Sequence, residues 1–170
     1  MASERIIGSL RSAEGKGIVR VEDRLDARVD DVWAALTDAQ RLAIWLGDID
    51  GDLHLGGEFR ARFFASGWQG TGRIEVCEPP HRLLVLTRDA DDPEPADHVI
   101  EATLTADGDR TNLSWEERQI PADLVAAYGA GVQVHVEDLA AYLAGRERCD
   151  AAARFDELYP AYQELAAGVG

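Results

Sequence analysis

The chain has 170 residues, 46% of them hydrophobic, a length and composition that fit one domain able to enclose its core without staples. Its 17 lysines and arginines face 32 acidic residues, giving a formal net charge of −15 that repels phosphate backbones and anionic lipid, so nucleic acid and membrane are excluded as partners. Cys77 and Cys149 lack metal-ligand spacing and disulfide density, the N-terminal MASERIIGSLRSAEGKG lacks an apolar h-region, and no run reaches about 18 apolar residues; the expectation is a cytoplasmic protein with reduced thiols.

Residues 1–16 read as an N-terminal extension, frayed or laid against the domain by Ile6, Ile7 and Leu10. Val19, Val21 and Leu25 among charged neighbours predict a half-exposed strand, after which Asp30 or Asp31 caps a helix carrying Val32, Trp33 and Leu36. Asp38 caps a second short helix with Leu42, Trp45 and Leu46 on one face. From there to Pro121 turn signals recur at Gly56-Gly57, Ser66-Gly67, Pro79-Pro80, the DADDPEPAD segment and Asp107-Gly108, predicting an antiparallel meander. Alternation groups Phe59, Ala61 and Phe63 against Arg60 and Arg62, and it groups Ile100, Ala102 and Leu104, and Thr111, Leu113, Trp115 and Glu117. Leu84 and Leu86 oppose Leu83, Val85 and Thr87 on a strand apolar on both faces. Past Pro121 the period becomes helical: Val125, Tyr128, Val132, Val136, Leu139 and Leu143 form a stripe that Gly145 ends. A last amphipathic stretch holds Phe155, Leu158, Tyr159, Tyr162 and Leu165 and is expected to break or kink at Pro160.

In that order the words VWAALTD, RLAIWLG, GDLHLGGEFRARF, GRIEVCEPPHRLLVLTR and VEDLAAYLAG resemble the START-like SRPBCC superfamily, and within it the branch related to the activator of Hsp90 ATPase. The resemblance implies an α+β helix-grip fold over 17–145, a curved antiparallel sheet wrapped around a long C-terminal helix with a cavity between them; 146–170, beyond the resemblance, reads from its periodicity as a helical extension packed on that domain. The same resemblance implies that Trp33 closes one end of the core and Trp45 borders the entrance. Where the family tends to have tryptophan after the second glycine of YGAGVQVHVEDL, this chain has Val132; the cavity is then larger, or refilled by Trp115 and Tyr128.

The expected ligand-binding residues are Trp45, Phe59, Phe63, Leu84, Ile100, Trp115, Tyr128, Val132, His135 and Leu139. The ligand is a small apolar or amphipathic molecule, and the role is that of a carrier, sensor or stress-related accessory protein. Glu117 and His135 are candidate catalytic residues, because a carboxylate raised in pKa by burial beside a neutral imidazole makes an acid-base pair for cyclase or dehydratase chemistry. Against this stands a structural reading, with Glu117 paired to an arginine and His135 bonded to a neighbour. Chaperone contact through the surface is a third class, and the last helix is free to pair with a second copy. His54, His81 and His98 fall on separate loops or strands with no paired spacing, so no metal and no cofactor is expected. Arg60, Arg62 and Arg73 form either cross-strand ion pairs or an anchor for a carboxylate ligand, depending on which face is inward.

Overall fold

The structure is a computed structural model, and it describes residues 6–91 and 97–169. The strands are β1 (Gly8–Ala13), β2 (Lys16–Leu25), β3 (Gly47–Gly51), β4 (Glu58–Phe63), β5 (Gln69–Glu78), β6 (Arg82–Asp89), β7 (His98–Asp107) and β8 (Arg110–Pro121). They form one antiparallel sheet in the order β1-β2-β8-β7-β6-β5-β4-β3. The helices are α1 (Val29–Thr37), α2 (Ala39–Trp45), α3 (Val125–Leu143) and α4 (Ala151–Ala167). From β3 onward the strands run in sequence order, as the recurring turn signals predict, and β8 then pairs with β2. Register shifts at Gly17/Val19 and Ile74/Val76 insert bulges, which bend and twist the strands that carry them. The curved sheet and the long helix α3 together make the α+β helix-grip fold that the resemblance implied.

Alternation decides which face is wet. Ala61, Ile74, Leu83, Val85, Ala102, Leu104, Leu113 and Trp115 are buried, while Arg60, Arg62 and Arg73 are exposed. The arginines therefore lie on the outer face, where Arg62 bonds Asp48 across β3–β4 at 3.0 Å, the cross-strand pairing read from the sequence, while Arg73 pairs with Glu75 on its own strand. Leu84 is displaced from its expected place in the binding site. With four apolar residues in a row the parity was open, and the structure turns Leu83 and Val85 inward and leaves Leu84 on the other face, beside the outward Glu101 of β7.

Other expectations are also corrected. Residues 8–13, left open between fraying and packing, form the edge strand β1. Helix α1 begins after Arg28 without a side-chain cap, so Asp30 and Asp31 lie in its first turn, where their charge favours the helix dipole. Asp38 does cap α2, its side chain accepting from Gln40 N–H at 2.9 Å. Most of the DADDPEPAD segment, 92–96, lies outside the described residues.

Helix α3 is buried on two sides. Val125, Val132, Val136 and Leu139 join the sheet core, while Ala126, Ala130 and Val134 form a second cluster with Leu158 and Tyr162 of α4. Helix α4 runs through Pro160 without a break: Pro160 is exposed, and burial of Leu158 and Tyr162 on α3 offsets the lost backbone bond. A polar seam ties the two helices, in which Tyr162 donates to Gln133 at 2.6 Å and Arg154 grips Glu137 with two bonds of 2.8 Å.

Candidate functional site

The resemblance implied a cavity between the sheet and α3; the cavity, of about 80 Å3, instead lies between the sheet and the α1–α2 pair, with no α3 residue in its lining, because α3 packs its stripe directly into the sheet core. Leu36, Thr37, Leu42 and Leu46 form its helical wall. Phe59, Phe63, Ile74, Leu83, Val85, Ile100, Ala102 and Trp115 form its sheet wall. Phe59 is positioned by what faces it, since Gly72 sits directly across on β5 and a Cβ there would collide with the ring. The two hydroxyls in the wall are satisfied locally: Thr37 donates to Trp33 C=O at 2.8 Å and Thr87 to His98 C=O at 3.4 Å. The cavity is therefore apolar, with about half the volume of an engineered cavity of about 150 Å3 that admits benzene.

Beyond the Ile100 and Trp115 walls of this space a polar cluster stands on β7, β8 and α3. Glu117 is 5% exposed, and its neighbour across β7 is Ile100, itself a cavity wall. One carboxylate oxygen lies 2.6 Å from His98 Nε2 and the other accepts the Trp115 indole N–H at 2.8 Å. Burial pushes the Glu117 carboxyl up, but the bonds from His98 and Trp115 and the nearby imidazoles outweigh it and hold the group below the ordinary carboxylate value. Glu117 is thus a fixed carboxylate, and the expected rise toward the working range of a general acid does not occur. Its partner is His98 rather than His135 or an arginine.

His135 is nevertheless next door. Its ring stacks on Trp115 at 6.2 Å and 17° and meets Phe63 edge-on at 5.2 Å. Burial pushes its pKa down and Glu117 pulls it partly back, so the imidazole is neutral at pH 7. Tyr128 packs on His98 at 5.2 Å, and burial, with Asp89 and Glu117 nearby, raises its phenol. His98 was the residue that sequence reasoning missed. The signal was present, because His98 continues the inward alternation of Ile100, Ala102 and Leu104.

The remaining expected residues divide by depth. Phe59, Phe63, Ile100 and Trp115 line the cavity; Val132 and Leu139 lie beneath it in the packed core. Trp45 also belongs to the core rather than to the entrance. It is 1% exposed, donates its indole N–H to Ala35 C=O at 2.9 Å and stands T-shaped on Trp115 at 6.4 Å. Trp33 is half-buried against the same core, so neither Trp33 nor Trp45 lines the cavity. With Val132 2% exposed and the cavity this small, the space of the absent tryptophan is filled rather than enlarged. A second concavity of about 830 Å3 on the outer face is lined by Arg60, Arg73 and Arg88 together with Asp50, Glu58 and Asp97, and this balance leaves no excess charge to recruit an ion.

The profile of the activator of Hsp90 ATPase homolog 1-like proteins matches residues 26–144, the span from α1 to the end of α3. The chain belongs to that family. Its members share the START-like SRPBCC fold seen in the sheet and α3. CalU16 from Micromonospora echinospora is similar in structure at a TM-score of 0.76 and 27% identity, over 94% of this chain and 95% of that one. DynU16, assigned to the dynemicin biosynthetic locus, is similar at 0.69 and 31% identity over 78% of this chain and 50% of that one. PFC0360w, an HSP90 activator from Plasmodium falciparum, aligns at 0.54 and 20% identity over 62% of this chain and 74% of that one, a likeness of fold alone. No curated protein matches the chain in sequence. Among the described residues no helix is long and apolar enough to cross a membrane, and no group of three His, Cys, Asp or Glu side chains has metal-binding placement.

Proposed function

We propose that this family member binds a small hydrophobic or amphipathic molecule between the sheet and the α1–α2 pair, as a carrier or sensor. The observation that carries the reading is the apolar cavity of about 80 Å3, whose Ile100 and Trp115 walls adjoin the Glu117–His98 pair. Similarity to a protein of a biosynthetic locus supports a small-molecule role. A single-ring ligand buries roughly 150 Å2 of apolar surface, worth about 4 kcal/mol and a Kd on the order of 1 mM. A ring of this size already exceeds the cavity of about 80 Å3, so binding requires the α1–α2 wall to move outward.

Native mass spectrometry of protein purified from its own cells tests this, with Ala102→Leu as the cavity-filling control. The expected result is a small molecule retained by the wild type and lost from the variant. A clean wild type, or equal retention by both, overturns the reading. The imidazole–carboxylate pair favours a second reading, an enzyme of cyclase or dehydratase type. Because Glu117 is held ionised, it would orient His98 rather than donate a proton, and turnover lost in both His98→Ala and Glu117→Gln would favour this alternative.

A further inference from the structure

The α1–α2 pair that walls the cavity is fastened to the sheet at its two ends. Before α1, Ala27 C=O accepts the hydroxyl of the fully buried Thr111 of β8 at 2.8 Å. After α2, Leu46 C=O accepts the Phe64 N–H at 2.9 Å and the chain enters β3, which pairs with β4 from Gly47 onward. Between these ends the Trp45 indole donates to Ala35 C=O at 2.9 Å, so the two helices move as one body. Their corner, at Asp38, is held differently. Arg41 Nε donates to the Tyr142 hydroxyl of α3 at 2.8 Å, the guanidinium stands 5.4 Å from the centre of that ring, and Asp31 of α1 steadies it at 3.4 Å. Among the described residues this is the only side-chain hydrogen bond that joins α1 or α2 to another element. Thr37 and Leu42, one on each side of the corner, line the cavity.

We propose that the α1–α2 corner is the door of the cavity and that the Arg41–Tyr142 bond is the clasp that keeps it shut. This rests on the ligand-binding reading above, which needs that wall to move outward. A body pinned at both ends and held by one bond at its corner opens by swinging the corner, which draws Thr37 and Leu42 away from the sheet wall. Opening exposes Leu36 and Leu42, both buried, so apolar burial shuts the door again when the space is empty. A ligand that fills the widened space covers those side chains in their place. The clasp stabilises the closed state alone, because Tyr142 belongs to α3, whose stripe is packed into the sheet core and does not follow the corner. Breaking it therefore raises the open population and, in proportion, the apparent affinity of any ligand larger than the closed cavity. A ligand small enough for the closed cavity gains nothing.

Two probes titrated by NMR separate the terms: xenon, a single atom of the kind that dry apolar cavities take up, and toluene, which exceeds the closed space. Tyr142→Phe removes the acceptor and keeps the ring, and Arg41→Met removes the donor and its charge. Relative to the wild type, Tyr142→Phe is expected to bind toluene about tenfold more tightly, the effect of one hydrogen bond from a charged donor, and xenon equally well. Arg41→Met should match or exceed that gain, and adding Tyr142→Phe to it should change nothing further. Tyr162→Phe, which breaks the bond to Gln133 in the α3–α4 seam, is the control for a merely structural role: it lowers the melting temperature and leaves toluene affinity where it was. Variants that take up xenon but bind toluene no more tightly than the wild type, gains that add in the double variant, or an equal gain in Tyr162→Phe overturns the inference while the cavity reading stands. If none of these proteins binds either probe, the cavity reading falls, and this inference with it.

Discussion

His135 is buried, and burial pushes its pKa below the ordinary value of 6.5. Once the chain unfolds, that imidazole regains its normal affinity for a proton, so between pH 7 and 5 the unfolded state binds more protons than the native one. Stability therefore falls as pH drops through that window, by up to about 1.4 kcal/mol per pH unit from this residue alone. Denaturant melts at pH 7 and 5 should show a smaller loss for His135→Phe than for the wild type; equal losses would mean that the native state protonates His135 freely. Residue identity was legible here only in part. Period-two alternation puts Glu117 beside Trp115 on the inward face, as observed, yet the partner of Glu117 depends on the register between β7 and β8, which places His98 within 2.6 Å. Leu84 shows the opposite difficulty, since LLVL reads equally well either way up, and only the neighbouring strands select the face.

The α3–α4 pair illustrates what happens between elements. Gly129 lies in the middle of α3, where alanine would ordinarily gain up to about 1 kcal/mol of helix propensity. A Cβ there would stand 2.5 Å from the Tyr162 ring, which is fully buried and fixed by its bond to Gln133. Overpacking at such a contact costs about 1–3 kcal/mol, so Gly129→Ala is expected to lower the melting temperature by several degrees. A rise in Tm would show that α4 yields. The stripe on α3 was readable from its spacing, but the burial of its opposite face was not, because Ala126, Ala130 and Val134 are too small to advertise a second partner. The core placement of Trp45 has the same origin. Each short helix announces an apolar face, while the angle between the helices decides which indole meets Trp115.

At the scale of the whole molecule we propose that 17–145 is the domain proper, with 1–16 and 146–170 as extensions. A chain ending at Gly145 should fold with a Tm lowered by about 6–12 °C, on the order of 3 kcal/mol, because Ala126, Ala130 and Val134 lose the cover of Leu158 and Tyr162. It should keep the near-ultraviolet signal of the Trp45–Trp115 pair. Loss of that signal in the truncated chain would show that α4 is integral to the domain. The acidic balance leaves the outer sheet face a lattice of ion pairs such as Arg62–Asp48 and Arg88–Asp97, exposed contacts worth at most about 1 kcal/mol each.

By itself the sequence determined the element order from β2 onward, the antiparallel meander, the apolar stripe of α3 and the inward placement of Glu117 and Trp115, because periodicity and turn chemistry are local properties. The tertiary structure alone decided that Glu117 pairs with His98, that Trp45 is core, and that the cavity is only about 80 Å3. Those outcomes depend on register, helix crossing and the residual space left after packing, which arise between segments distant in the chain and leave no local trace.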